Sequence, residues 1–527
     1  MIAGIMLPYR ASQCHSLPRA FAPGPELTPF DGPDRSGPGA PPPGRPPVPA
    51  GMRLRPDPGL LSLAGGTVLV GGAPLRLLRL GPRGAALARG WWDGVPVPGR
   101  PAAQELARRL LDAGLAHPDP ASGPPGPKPD EVTAVIPVRD RPAELARCLA
   151  GLDGMRVIVV DDGSADRAAV AAAAAAAGAL CLRRDRCGGA GAARNTGLAA
   201  VRTPLVAFVD SDCVPRPGWL SPLLRHFADP AVGAVAPRIR AHEQGSGWLA
   251  RYEAAASALD MGPVESIVRP GARVPYVPGA ALLVRRAAAG RGFAEDMPVG
   301  EDVDFVWRLS AAGWHIRYEP RAAVGHQHRV RLGDWLRRRR DYGTSAAPLE
   351  LRHPGTVPAC AMSGWSALAW AAAAAGLPGT GAAITGAAAA LLARRLGPLT
   401  DDAWPLAGRL AGRGTLAAGR LLGSAVARTW WPLALPAAAV VPRLRLPLAA
   451  ALIVPPVLDW RQRRPPMPPA SYAAARLLDD LAYSVGVWQG CLAHRTARPL
   501  APALWWWSGT GEPGGPRPGW PRPPGGR

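Results

Sequence analysis

Residues 205–220 read LVAFVDSDCVPRPGWL, an apolar run followed by Asp210 and Asp212 on either side of Ser211. Five apolar residues in a row, closed by a carboxylate, spell a strand buried on both faces. The two acids stand one residue apart in a chain whose formal net charge is +22. The same grammar recurs upstream. VTAVIPV (132–138) reads as a strand, PAELARCLAGL (142–152) as a helix opened by Pro142, RVIVVDD (156–162) as a strand and ADRAAVAAAAAAAG (165–178) as a helix. Downstream, AVGAVAP (231–237) is a further strand beyond another helix. Strands alternating with helices predict an α/β fold with a mostly parallel sheet covered on both faces, and ligands then bind outside the carboxyl ends of the strands. VVDDGS and FVDSD both put acids at that edge.

The 527 residues, 48% of them hydrophobic, suffice for two or three domains with a real core. A pI near 11 points by itself to nucleic acid or an anionic surface. The chain, however, has one lysine, Lys128, and its positive charge is otherwise arginine. With so much Ala, Gly and Pro, that bias matches a GC-rich genome, and the acidic strand ends argue against a nucleic-acid partner. A basic nucleic-acid-binding protein is the alternative from a different functional class. Seven cysteines form no C-x-x-C pair, which excludes a disulfide scaffold and a structural zinc site and fits a reducing cytoplasm.

Residues 1–51 are Pro/Gly-rich without periodicity and read as disordered, and translation is expected to start at Met52. Residues 52–120 carry short strands around Gly71 and Gly72 and an amphipathic helix with Leu106, Leu110 and Leu111, which suggests a small winged-helix-like module set off by the Pro/Gly stretch 118–129. The α/β domain spans 130–355. Residues 356–500 form an apolar helical region, possible membrane-associated sequence: Val357 to Ala393 contains no charge, and GLPGTG (376–381) splits it into two halves near membrane-helix length. An Ala-rich bundle away from lipid is the equal alternative. Residues 501–527 read as a disordered tail.

Two aspartates at i and i+2 on a loop are suited to a divalent cation whose remaining ligands come from a diphosphate. Acids ending strands also serve simply as turn and cap residues. Three neighbours shift that balance. Asp161 and Asp162 stand where an acid accepts hydrogen bonds from a nucleoside; CGGAGAARNTGLAA (187–200) offers glycines for close backbone approach, with Arg194 for a phosphate; and GEDVDFVWRL (300–309) starts a helix with Glu301 and Asp302. An acid facing the metal site there can take a proton from an attacking hydroxyl.

The ordered set VIPVRDRPAEL, VVDDGSAD, GGAGAARNTGLAA, FVDSDCVPRPGWL, VPGAALLVRR, GEDVDFVWRL and YEPRAAVGHQH resembles the inverting family 2 glycosyltransferases of the GT-A fold, over about residues 132–330. The resemblance implies that Asp161 or Asp162 binds uridine, that Pro137, Val138, Arg139 and Asp140 line the base pocket, and that Gly189, Arg194, Asn195 and Ser211 lie along the nucleotide. It implies Mn or Mg on Asp210 and Asp212, with His326 or His328 completing the shell, Asp302 as general base and Glu301 near the acceptor. The Q-x-x-R-W motif of processive synthases is missing after residue 330; the arginine run 337–340 stands there, facing phosphate or lipid or simply solvent. The N-terminal module, the segment YGTSAAPLELRHPG (342–355) and the apolar C-terminal region are together similar to the mycofactocin-system branch of the family. That similarity implies a UDP-sugar donor, glucose foremost, and a peptide-derived redox cofactor or other small acceptor, at the cytoplasmic membrane face or in the cytoplasm. A membrane glycosyltransferase with a lipid-linked acceptor is the rival enzyme reading.

Overall fold

The computed structural model describes residues 46–72, 74–119, 123–242, 246–328 and 331–506. The readings made of residues 1–45 and 507–527 lie outside them. In the N-terminal module β1 (Arg53–Pro56) pairs with β5 (Ala116–Asp119), and β2 (Leu61–Leu63), β3 (Val68–Gly71) and β4 (Arg76–Arg79) form an antiparallel meander. Helices Pro82–Trp92 and Pro101–Ala113 pack on them through Trp91, Leu110 and Leu111; each opens on a proline, and the second closes on left-handed Gly114.

Order begins before Met52, which corrects the boundary expected there. Val48 is fully buried, Arg108 donates to the Pro46 carbonyl, and Gln104 donates to that of Val48. An apolar plug followed by a short loop has no periodicity to announce it. Nor is the module isolated. Arg108 grips Asp229 through two buried hydrogen bonds of 2.9 and 2.7 Å, and Arg273 grips Asp57 through two of 2.9 Å.

Nine strands make the central sheet: β6 (Val132–Val138), β7 (Arg156–Asp161), β8 (Leu180–Arg183), β9 (Leu205–Val209), β10 (Cys213–Pro215), β11 (Val232–Ala241), β12 (Ser266–Ile267), β13 (Ala281–Arg285) and β14 (His315–His326). Their order is β10-β14-β11-β13-β9-β6-β7-β8, with β12 beside β14. The strands β6, β7, β8, β9, β11 and β14 share one direction, and β10, β12 and β13 oppose it. The mostly parallel sheet is therefore present, and β9 and β11 are separated by the reversed β13. Every residue of β6 and β9 is buried, as continuous apolar runs require.

Helices Gly364–Ala374, Pro378–Leu396, Ala403–Ala425, Trp431–Val440, Arg445–Arg463 and Pro469–Ala493 form the C-terminal region. Among the described residues no helix is long and apolar enough to cross a membrane, and the stretch 357–393 is divided between helices Gly364–Ala374 and Pro378–Leu396. The tail starts later than 501, because β16 (Ala503–Trp505) pairs with β15 (Ala361–Ser363).

Candidate active site

The carboxyl ends of β6, β7 and β9 bring the expected acids to one edge. Asp161 closes β7 and accepts from the Ser164 amide at 2.9 Å and from Arg183. Asp162, tied to β6 through its amide to the Val138 carbonyl, turns to the glycine loop. Its carboxylate accepts from the amides of Gly188 (3.0 Å) and Gly189 (2.8 Å) and from Arg184 Nε (2.9 Å), so it fixes the mouth of helix Gly189–Ala200. Pro137 and Val138 are buried in β6. Beyond them Arg139 donates to Cys187 Sγ at 2.9 Å, and Asp140 adopts a positive φ of 52° while accepting from the Ala165 amide. Asn195 is not brought to this edge. Its amide nitrogen donates to the Phe293 carbonyl and to Glu295, and its oxygen accepts from the Phe293 amide.

At the end of β9, Asp210, buried Ser211 and Asp212 form a tight turn in which the Cys213 amide donates to the Asp210 carbonyl. The antiparallel pair β10–β14 sets Cys213 opposite His326, and that register carries His326 to Asp212. Arg194, itself buried, joins the two acidic stretches: Nη2 donates to Asp210 at 2.6 Å and Nη1 to Glu301 at 2.8 Å. Asp302 is held by backbone, accepting from the Gly279 amide at 2.7 Å and its neighbour Val303's at 2.8 Å. Arg141 donates to Asp212 at 2.6 Å.

Burial raises the Asp210 and Asp302 carboxyls, against the pull of Arg194. Glu301 is pushed up to about 7 by burial and by Asp302 beside it, again against Arg194. Asp212 goes the other way: burial is outweighed by His326, Arg141 and Arg338, and it falls to about 2. Burial lowers His326 to about 3, so its ring is neutral at pH 7. The result is a strongly acidic Asp212 beside three carboxyls whose proton affinity burial raises, with Glu301 near neutrality.

Among the described residues no three His, Cys, Asp or Glu are gathered as a ready metal set, and Arg194 and Arg141 pair with the two aspartates. The donor chemistry nevertheless suits a hard divalent cation. His326 Nε2 is buried, 3.5 Å from Asp212 Oδ1, and without a hydrogen-bond partner among the described residues, and in the tautomer protonated on Nδ1 it offers a lone pair to a cation. His328 lies farther back, 3.5 Å from Glu253.

Several participants had no signal of their own in the sequence. Arg183, Arg184 and Arg141 hold the acids, Gly279 orients Asp302, and helix Leu332–Thr344 buries Arg338 and Arg339. The arginine run is thus split, with Arg337 exposed and Arg339 paired with buried Glu253 and Asp479. The first three stand next to strand ends already marked by acids, which is the one hint available.

The sheet edge thus carries an Asp-x-Asp turn and a buried acid pair joined by Arg194, and the class of protein is that of the glycosyltransferases. The family described as Glycosyl transferase family 2 matches residues 133–292. The Pre-mycofactocin glycosyltransferase of Mycobacterium tuberculosis is 42% identical over 473 residues, covering 87% of this chain and 98% of that protein. An N-acetylglucosaminyltransferase of Mesorhizobium japonicum is 29% identical over 245 residues, 42% of this chain and 56% of that one. Among solved structures, the mannosyltransferase PcManGT from Pyrobaculum calidifontis, in complex with GDP-Man and Mn2+, aligns at 19% identity and a TM-score of 0.32, over 56% of this chain and 89% of its own. The chain belongs to glycosyltransferase family 2 and is similar through nearly its whole length to the pre-mycofactocin glycosyltransferases.

Proposed function

We propose that this glycosyltransferase moves glucose from UDP-glucose onto a hydroxyl of pre-mycofactocin, with inversion, building a short β-linked chain. The observation that carries the reading is the arrangement of Asp302, Arg194 and Asp210 at one sheet edge, in a chain so similar to a pre-mycofactocin glycosyltransferase. Asp302 takes the acceptor proton as that oxygen attacks the anomeric carbon, and the bond from that carbon to the diphosphate oxygen breaks. As the carboxylate, Asp302 is aimed by the Gly279 amide, and its raised proton affinity suits it to accept. Arg194 keeps Glu301 and Asp210 fixed on either side of the reaction space. Asp210, Asp212 and His326 are the residues that would hold Mn or Mg, and a bound cation supplies positive charge for the departing diphosphate.

The experiment offers purified protein UDP-glucose or GDP-mannose with Mn or Mg and a pre-mycofactocin acceptor. Mass spectrometry then follows hexose addition, and NMR reads the anomeric linkage. A β-glucoside from UDP-glucose is expected; an α-linked product sinks inversion, and transfer from GDP-mannose alone sinks the donor. A second reading, with the enzyme and its acceptor at the cytoplasmic membrane face, is favoured by the apolar side chains that the C-terminal helices leave exposed.

A further inference from the structure

Two apolar turns of the C-terminal region lie toward the same end of helix Ala403–Ala425. Trp370 donates to the Thr415 carbonyl at 2.7 Å, Ser366 Oγ lies 3.3 Å from Thr415 Oγ1, and a Cβ on Gly419 would strike the Trp370 ring. Helix Gly364–Ala374 therefore advances alongside Ala403–Ala425 in the same direction, and the turn after it, 375–377, sits at the C-terminal end of the longer helix. Arg420 reaches Gln462 at 2.9 Å, while Gly423 faces Ala451 and Pro455. Helix Arg445–Arg463 thus runs the opposite way, and its N-terminal turn, 441–444, reaches that same end.

Both turns are apolar and open. Val440 is 81% exposed, Leu446 80% and Leu377 56%, with Leu433 and Ile453 also outward. From Trp431 to Leu458 the charged residues are Arg443 and Arg445, both exposed, with no acid between them. Large apolar side chains beside cations match the boundary of a bilayer carrying anionic headgroups. Helix Trp431–Val440, of 10 residues, covers only about 15 Å, half the roughly 30 Å of a hydrocarbon core, and no described helix is long and apolar enough to cross one, which suits contact with a single leaflet.

We propose that the turns at 375–380 and 440–446 are a two-pronged, monotopic dock for an anionic lipid surface. The inference rests on the membrane-face reading above and is independent of the sugar and acceptor. Its test is flotation of the full chain with phosphatidylcholine vesicles, with and without phosphatidylglycerol. Wild type is expected to float with the anionic vesicles and at least about tenfold less with the neutral ones. Val440→Asp with Leu446→Asp is expected to abolish flotation, and Arg443→Ala with Arg445→Ala to remove the preference for phosphatidylglycerol. Wild type that ignores both vesicles, or an aspartate variant that floats normally, overturns the proposal. So does a lipid-indifferent dimer that the aspartate variant splits, which assigns the face to a second copy. UDP release, followed in every sample, is expected unchanged in both variants. Its absence from wild type would count against the transfer reading and leave the dock standing.

Discussion

Arg194 is the residue on which the site turns. It is a buried cation whose two terminal nitrogens hold carboxylates from separate elements, Asp210 after β9 and Glu301 at the head of helix Glu301–Ala311. A lysine keeps the charge and loses the fork, so Arg194→Lys is expected to lower kcat/KM by roughly 10- to 100-fold while the fold stays intact. The check is steady-state kinetics beside circular dichroism, and near-wild-type turnover removes Arg194 from the account. In Arg194→Ala the acids lose the charge that pulls them down, so Glu301 and Asp210 rise further and the acid limb of the pH–rate profile moves to higher pH. A profile that does not move would show that neither acid governs it. The acids themselves were legible in the sequence, because a carboxylate at the end of an apolar run is visible locally. Their partners were not. That Gly279 would aim Asp302, or that Asn195 would face Phe293, depends on chain brought together across the fold.

At the scale of elements, continuous apolar runs announced β6, β7 and β9, and the same signal left strand direction undetermined. β13 reads as one more apolar run, and only its pairing with β9 and β11 shows it reversed. Helix Gly189–Ala200 approaches β6 so closely that a Cβ on Gly197 would lie 2.3 Å from Val135 Cγ1. Gly197→Ala is therefore expected to cost about 1–3 kcal/mol through overpacking, read in a denaturant midpoint shift; an unchanged midpoint contradicts that packing. Helix Pro469–Ala493 meets the site-lining helix Leu332–Thr344 with equal intimacy, Gly486 against the Arg340 carbonyl and Gly343 against that of Tyr483. The small residues that permit this crossing recur every four positions, Ala482, Gly486 and Gly490, a stripe that shows a close-packed face without showing that its partner is the helix lining the site.

The whole molecule is held by its ends. The meander face of the N-terminal module packs Val68 and Val70 against Leu392, Leu396 and Leu406 of the C-terminal helices, while toward the central domain the module makes the buried ion pair Arg108–Asp229 and the half-buried pair Arg273–Asp57. Arg108→Ala strands Asp229 in the interior and is expected to cost about 3–5 kcal/mol in equilibrium unfolding. A loss under about 1 kcal/mol would mean that the interface opens to water. Acid acts on the same seam. Burial works to raise Asp57 and Glu319, and their hydrogen-bonded partners, His117 and Arg273 for the first and Arg321 and His226 for the second, hold both well below the usual carboxylate range. Burial lowers His117 and His226. Depressed acids stabilise above roughly pH 4 and lose that contribution as pH falls, and histidines buried neutral are penalised below roughly pH 6.5, so both act with the same sign. Stability is expected to fall below roughly pH 6.5 through the histidines and again below roughly pH 4 through the acids, the second fall being less steep in Asp57→Asn; equal slopes below roughly pH 4 would exclude Asp57. The chemistry at the sheet edge has a more direct test, which is UDP release from UDP-glucose with Mn by wild type and by Asp302→Asn, beside the donor affinity of each by calorimetry. If Asp302 is the base, the variant binds donor as tightly as wild type and turns over about 100- to 10,000-fold more slowly. Wild-type turnover in Asp302→Asn would contradict the mechanism.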